Sequence, residues 1–296
     1  MKICHVMVDF HCRPLHDRGR YGSARIAGAM IHRSMQARPI RAIHMQARPI
    51  LATGALLAGG RGQRLGRDKV LAELAGRPLA LWVLDALAPC VSEVLICIDR
   101  PERASELDGL DLSRATRAGK PRMVVDEPAG QGPLAALASA LAAARTDAVF
   151  AAACDYPFLV PEAVEALLAA LERHEAALPE IAGHLHPLCG AYSRRILPKL
   201  RGALDAGQRK AVEFALTLDL IRVTESDLAS RVSAPGLEQN RASGSNVAVR
   251  VCGPDPALIF TNINTREELA RAEEHLGLPP PRRHRPSGKP RGHQEE

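Results

Sequence analysis

Thirteen consecutive residues, Leu57-Ala58-Gly59-Gly60-Arg61-Gly62-Gln63-Arg64-Leu65-Gly66-Arg67-Asp68-Lys69, bring together four glycines, three arginines and a terminal lysine. Glycine has no β-carbon, so the backbone N–H groups of such a turn can approach a ligand that a side chain would hold off. With Arg61, Arg64, Arg67 and Lys69 beside those N–H groups, the ligand the stretch suits is a polyphosphate. A second set of chemistry-bearing residues is acidic: Asp99, Asp126 and Asp155 each follow an apolar run. Asp155 leaves the most apolar of them, Ala148 to Cys154, where an unpaired charge is costly, so it should meet a cation or a dense set of donors. One carboxylate, phosphate oxygens and waters are the usual ligands of Mg²⁺. The competing role for Asp155 is to cap the following turn, since Asp-Tyr-Pro favours one; the glycine loop weighs for the metal.

Three mechanistic motifs compete for the glycine stretch. The Walker loop ends in Gly-Lys-Ser/Thr, which occurs nowhere in the chain. The dinucleotide fingerprint is one residue shorter than the spacing of Gly60, Gly62 and Gly66. The loop of nucleotidyltransferases, Leu-Ala-Gly-Gly followed by a basic stretch, Gly, Asp and Lys, matches without adjustment. Chemistry on a triphosphate asks for positioning and charge stabilisation more than for a protein nucleophile, and no Ser-His-Asp or Cys-His arrangement is suggested. His184 and His186 alternate on an extended segment and should point to one side, either lining an acceptor pocket or standing in solvent on an edge strand.

The elements that must position these groups alternate between strand and helix. The apolar run ending at Leu56 is short enough for a buried strand. Pro78 opens a helix from Leu79 to Leu87. Val94–Ile98, Arg122–Asp126 and Ala148–Cys154 read as strands, and Pro133–Ala144 and Pro161–His174 as helices. Beyond them come extended structure at 184–192 turning helical near Ser193, a helix at 208–217 and a strand at Leu220–Val223. Residues 233–257, rich in Gly, Ser, Pro and Asn, read as a long loop, lid or insertion. Thr265 caps a last helix, Glu268 completes a capping box and Gly277 stops it. Such alternation predicts a mostly parallel sheet covered by helices, with the ligand crevice at the carboxyl ends of its strands.

The 296 residues allow ample core, with 46% apolar residues but only 3% aromatics, so alanine and leucine must carry the packing. The net charge of +6 sits in the tails: residues 1–50 hold nine Lys/Arg against two Asp/Glu and residues 279–296 hold five against two, while the body is mildly acidic. That distribution speaks against a nucleic-acid-binding domain. The organisation expected is a basic extension at 1–50 (disordered, or upstream sequence read from a start placed too early), a domain at 51–278 and a disordered basic tail at 279–296. In the extension Met35–Ile40 recurs as Met45–Ile50, a period too short and too few for a repeat fold. The spacing of its five histidines and two cysteines fits no familiar metal site. Seven cysteines, an odd number and without a C-x-x-C pair, read as free thiols. No apolar run is long enough to span a membrane and no secretory h-region opens the chain, so the expected location is the cytoplasm.

From Thr53 to Leu276 the chain resembles the molybdenum cofactor guanylyltransferase family of the nucleotidyltransferases. Five blocks in order carry the resemblance: Leu57-Ala58-Gly59-Gly60 with Arg64-Leu65-Gly66 and Asp68-Lys69; Asp126 with Gly132-Pro133-Leu134; Cys154-Asp155-Tyr156-Pro157-Phe158; His186-Pro187-Leu188 with Tyr192; and Asn262-Ile263-Asn264-Thr265 before Glu267-Glu268-Leu269. The resemblance implies a Rossmann-like three-layer α/β fold with a mostly parallel central sheet. It implies nucleotide contacts at Leu57, Ala58, Gly59, Gly60, Arg64, Lys69, Asp126 and Asp155, with Lys69 and Asp155 catalytic and Asp155 ligating Mg²⁺. Asn262 and Asn264 would bind the second substrate. The implied reaction is attack of the terminal phosphate of molybdopterin on the α-phosphorus of GTP, giving the guanine dinucleotide and pyrophosphate. Transient contacts with molybdopterin-synthesis proteins and recipient molybdoenzymes are implied too, and neither nucleic acid nor membrane. The chain departs from the family where an asparagine is common near the end of the second strand, since it reads Cys97-Ile98-Asp99; Leu65 replaces a common Met, a small change in an apolar side chain. The related cytidylyltransferases tend to read Leu-Ala-Ala-Gly at the loop, so Gly60 favours guanine. A nucleotide-binding module without turnover is the rival of another class, against which Lys69 and Asp155 argue.

Overall fold

The computed structural model describes residues 51–59, 68–112, 120–127, 130–232 and 255–277. The basic extension 1–50, the loop residues Gly60 and Arg64, most of the 233–257 segment and the 279–296 tail lie outside the described residues.

The first strand, β1 (Ala52–Leu57), is buried along its whole length, as a strand covered on both faces must be. The elements that follow are β2 (Glu73–Leu74), β3 (Arg77–Pro78), α1 (Leu79–Leu87), β4 (Glu93–Ile98), α2 (Arg103–Leu107), β5 (Arg122–Val125), α3 (Pro133–Ala143), β6 (Ala148–Ala153) and α4 (Pro161–Leu171). After these come β7 (Ala176–Ile181), β8 (His184–Leu185), β9 (Cys189–Ser193), α5 (Leu197–Asp205), α6 (Ala211–Ala215), β10 (Leu220–Thr224), α7 (Glu225–Val232), α8 (Pro256–Ile259) and α9 (Arg266–His275).

The main sheet runs β10-β7-β9-β6-β1-β4-β5, with β8 added beside β7, while β2 and β3 form a separate hairpin. β1 is parallel to both β4 and β6, β4 to β5, and β7 to β10; β9 alone along that path runs antiparallel to its neighbours. Side chains alternate between two cores. Ala52 and Leu56 of β1 and Phe150 of β6 pack with Val83 and Leu87 of α1, Val164 and Leu168 of α4 and Leu228 of α7. Ala55, Leu57 and Val149 pack with Leu134 and Leu137 of α3 and Leu200 and Leu204 of α5. The result is the expected three-layer α/β arrangement with a mostly parallel sheet. Alanine lets the layers close, and glycine goes further. A β-carbon on Gly190 of β9 would lie 2.4 Å from Leu178 Cδ2 and 3.0 Å from the Ala177 carbonyl oxygen, so only glycine lets β7 approach there.

The strand order reverses at β1: the chain leaves it for β4 and β5 on one side and then returns to β6 on the other. The crevice of an open α/β sheet lies at such a switch point, outside the carboxyl ends of the strands. For β1 and β6 those ends deliver Gly59 and Asp155.

Some local expectations shift. α4 ends at Leu171 rather than His174, because Glu172 takes a φ of 32° that no helix continues. β7 went unforeseen, since Pro179 stands inside it and proline usually marks a strand's edge or end. Its carbonyl accepts the N–H of His186, so the missing Pro179 N–H faces the gap between β8 and β9 rather than the β10 ladder. β8 stops at Leu185, and the alternation expected to align His184 with His186 ends with it. The far end of the expected 233–257 loop is helical, since Asp255 caps α8 through the Ala257 N–H.

Candidate active site

Gly59 follows β1 closely enough that the Ala58 N–H still donates to the Cys97 carbonyl of β4 at 2.8 Å. A β-carbon on Gly59 would stand 3.0 Å from Asp126 Oδ2 and 3.4 Å from Asp99 Cβ. Glycine is therefore what allows the strand-end carboxylates and the loop backbone to share this space. Leu57 and Ala58 are buried.

Asp126 extends β5 by one bond, its N–H donating to the Ile98 carbonyl at 2.8 Å. It is 4% exposed, and its Oδ1 has no hydrogen-bond partner among the described residues. Burial, with the charge of Asp99 added, pushes its pKa up to about 7. Asp99 keeps its own charge: burial opposes ionisation, but Arg103 and Arg100 outweigh it and hold the carboxyl below its ordinary range. At the position where the family resemblance implies an asparagine, this chain places an ion-paired carboxylate.

Asp155 follows β6 and is 6% exposed. Lys69 Nζ donates to its Oδ2 at 2.5 Å and to Asn264 Oδ1 at 2.6 Å. Asp155 Oδ1 has no partner among the described residues. The Asp155 carbonyl accepts the Ile263 N–H at 2.9 Å, which ties the Asn262–Asn264 segment to the end of β6. Glu268 completes the hold, its Oε2 accepting the N–H groups of Asn264 at 2.6 Å and Thr265 at 3.0 Å as part of the capping box that starts α9. Lys69, Asp155 and Asn264, taken from three distant parts of the sequence, thus meet at one point. Asn262 is exposed beside them.

The donor set fits a divalent cation held jointly with a phosphate ligand. Among the described residues the buried Asp155 Oδ1 has no partner, whereas no cluster of three acidic, His or Cys side chains exists to bind a metal unaided. A lone carboxylate with phosphate oxygens and waters is sufficient for such an ion.

His186 is half-buried, with its Nδ1 3.3 Å from the Tyr156 hydroxyl and its ring against Phe260. Burial and the neighbouring His184 lower its pKa. His184 stays exposed. The two histidines do not form a pair.

Arg103 was not foreseen. It is 1% exposed, and its guanidinium bridges Asp99 and Asp68. The surrounding Asp99-Arg100-Pro101-Glu102-Arg103 reads in sequence as a solvated turn, and nothing in its composition marks one arginine as buried.

The chain is similar to known proteins in sequence and in fold. Residues 54–222 match the model of the MobA-like NTP transferase domain. A molybdenum cofactor guanylyltransferase from Cereibacter sphaeroides is 31% identical over 227 residues, covering 75% of this chain and 96% of that protein. One from Burkholderia ambifaria is 39% identical over 170 residues, covering 53% of this chain and 78% of its own length. Among solved structures, molybdopterin-guanine dinucleotide biosynthesis protein A from Archaeoglobus fulgidus is similar with a TM-score of 0.57 and 25% identity, covering 75% of this chain and 97% of that one.

Proposed function

The chain belongs to the MobA-like NTP transferase family, and on that premise we propose that it transfers GMP from GTP to molybdopterin, releasing pyrophosphate and forming the guanine dinucleotide cofactor. The observation that carries the reading is the meeting of Lys69, Asp155 and Asn264 at the carboxyl ends of β1 and β6.

In this reading an oxygen of the molybdopterin terminal phosphate forms a bond to the α-phosphorus of GTP. The bond from that phosphorus to the bridging oxygen breaks, and pyrophosphate leaves with the electron pair. Negative charge gathers on phosphate oxygens throughout, so fixed cations and donors do most of the work. The Gly59–Gly60 backbone and Arg64 cradle the phosphates. Lys69, relinquished by Asp155 as the triphosphate arrives, neutralises the developing charge. Asp126 accepts donors of the nucleoside through Oδ1, which has no partner among the described residues. Asp155 would hold Mg²⁺, which would supply neutralisation of phosphate charge when bound. Asn262 and Asn264 face molybdopterin. Asn264 accepts from Lys69 and so relates the acceptor's position to that of the lysine.

Among the described residues no helix is long and apolar enough to cross a membrane, and Cys97, Cys154 and Cys189 are buried free thiols. These features support a cytoplasmic location, with transient contacts to the proteins that deliver molybdopterin and receive the product.

Calorimetry with GTP, CTP and ATP, with and without Mg²⁺, followed by turnover with molybdopterin, tests the reading. Mg²⁺-dependent preference for GTP and loss of transfer in Asp155→Asn are expected. Preference for CTP would move the substrate to the cytidine branch, and turnover unaffected by Asp155→Asn would overturn the mechanism.

A further inference from the structure

Lys69 is held at its tip by Asp155 and Asn264, and a second set of contacts fixes its backbone. Asp68 accepts the Val70 N–H on Oδ1 at 3.2 Å, across Lys69, and its carbonyl accepts the Leu71 N–H at 3.1 Å. The lysine therefore sits in a turn shaped by the Asp68 carboxylate. The other oxygen of that carboxylate, Oδ2, accepts from Arg103 Nη1. Arg103 in turn grips Asp99 with Nε at 2.5 Å and Nη2 at 3.5 Å, and Glu106 Oε2 stands 3.6 Å from Nη1. Asp99 directly follows β4, which pairs with both β1 and β5. Asp68 and Asp99 are 31 residues apart in sequence, and a guanidinium that is 1% exposed joins them.

We propose that Arg103 is a positioning residue for nucleotidyl transfer: by clamping Asp68 to Asp99 it anchors the turn that aims Lys69 at the phosphates. The inference rests on the guanylyltransferase reading above and extends it to a residue outside the glycine loop. The physical case turns on what a fork can do. A planar guanidinium donates to two carboxylates in fixed directions, whereas an ammonium is a point charge on a flexible stem. Phosphoryl chemistry is steep in position, since a displacement of about 1 Å costs on the order of 10²-fold in rate. A buried arginine on the helix after β4 is therefore well placed to control a lysine that it never touches. It also keeps Asp99 ionised, so the clamp and the electrostatics around Asp126 share one cation.

The test compares wild type, Arg103→Met, Arg103→Lys, Asp68→Ala and the double variant in the full chain. GMP transfer is measured per GTP-binding site, counted by calorimetry, so that loss of folded protein does not register as loss of rate. Arg103→Met should lower kcat on the order of 10²-fold while KM for GTP moves much less. Arg103→Lys should recover only part of that loss. The double variant should be no slower than Arg103→Met alone, because the two residues act in series. A kcat within twofold of wild type, full recovery by lysine or additive losses would overturn the proposal. A readout independent of turnover is the labelling of Lys69 by an amine-reactive reagent, followed by mass spectrometry. Loosening the turn should speed labelling about tenfold, and an unchanged rate would count against the clamp. If Arg103→Met does not fold, Asp68→Ala, which removes a part-exposed side chain, carries the same kinetic and labelling comparisons. Absence of GMP transfer in wild type would defeat the functional reading and leave the labelling result to decide the clamp.

Discussion

Asp126→Asn should change the pH dependence of stability in a calculable way. In the folded protein the carboxyl is buried and faces the charge of Asp99, which together move its pKa from 3.8 to about 7, and its Oδ1 has no partner among the described residues. Between those values the folded chain keeps a proton that the unfolded chain has lost. Stability is therefore fully present below pH 4 and is lost as the pH rises through 7. The slope is about 1.4 kcal/mol per pH unit, and the window of roughly three units makes the total about 4 kcal/mol. An asparagine has the same shape and no charge. The difference in unfolding free energy between Asp126→Asn and wild type should thus climb with pH and level off above 8. The slope carries the test rather than the offset, because a buried amide has its own desolvation cost at every pH. Urea unfolding of both proteins at pH 4, 5, 6, 7 and 8, without nucleotide, measures it. Parallel stability curves would refute the reasoning, since they would mean that Asp126 is ionised and paired in the folded chain.

If Asp126 accepts nucleoside donors as proposed, those donors select its ionised form, and GTP affinity should rise about tenfold between pH 6 and pH 8 by calorimetry, a rise that should vanish in Asp126→Asn. Lys69→Ala should lower kcat/KM for GMP transfer about 10²- to 10³-fold, the range for removing one donor aimed at developing charge. Gly59→Ala puts a β-carbon 3.0 Å from Asp126 Oδ2; it should weaken GTP binding at least tenfold, read by calorimetry, while costing about 1–3 kcal/mol of stability. Glu268→Ala removes the acceptor for the Asn264 and Thr265 N–H groups; it should cost about 1 kcal/mol in urea unfolding and slow transfer by freeing Asn264 from Lys69.

The parts of the molecule that were legible in the sequence are those whose cause is local. β1, β4 and β6 announce themselves because a strand buried on both faces must be continuously apolar, and α9 because Thr265 and Glu268 form their capping box within four residues. The residues of the candidate site were legible in type but not in contact. Asp155 reads as a carboxylate leaving an apolar strand; that Lys69 donates both to it and to Asn264 depends on tertiary meetings across 86 and 195 residues. Asn264 was expected on the acceptor side of the cleft, and its bond to Lys69 gives it a second neighbour that spacing could not supply. β7 was hidden by Pro179, whose missing N–H is harmless only because β8 and β9 part beside it. Arg103 was hidden more thoroughly, since an arginine among charged neighbours looks the same whether solvated or buried.

The meeting of Lys69 with Asp155 and Asn264 has its own mechanical support. Immediately after the lysine, Ala72 and Leu74 lead into the β2–β3 hairpin, and these pack with Leu79 of α1, Phe158 after β6, Ile263, and Ala272 and Leu276 of the last helix segment. This third core is small and separate from the two that flank the sheet. It joins the chain just beyond Lys69, just beyond Asp155 and on both sides of Asn264. Packing at interior density resists sub-ångström displacement far better than a few solvated hydrogen bonds can, so the three side chains inherit their relative positions from apolar contacts one layer away. Leu74 and Ile263 are both fully buried there. Truncating either to alanine should leave every polar group of the site present and still lower kcat, because a cavity lets the hairpin and α9 move independently. That makes the C-terminal helix part of the active machinery even though none of its own side chains need touch a phosphate.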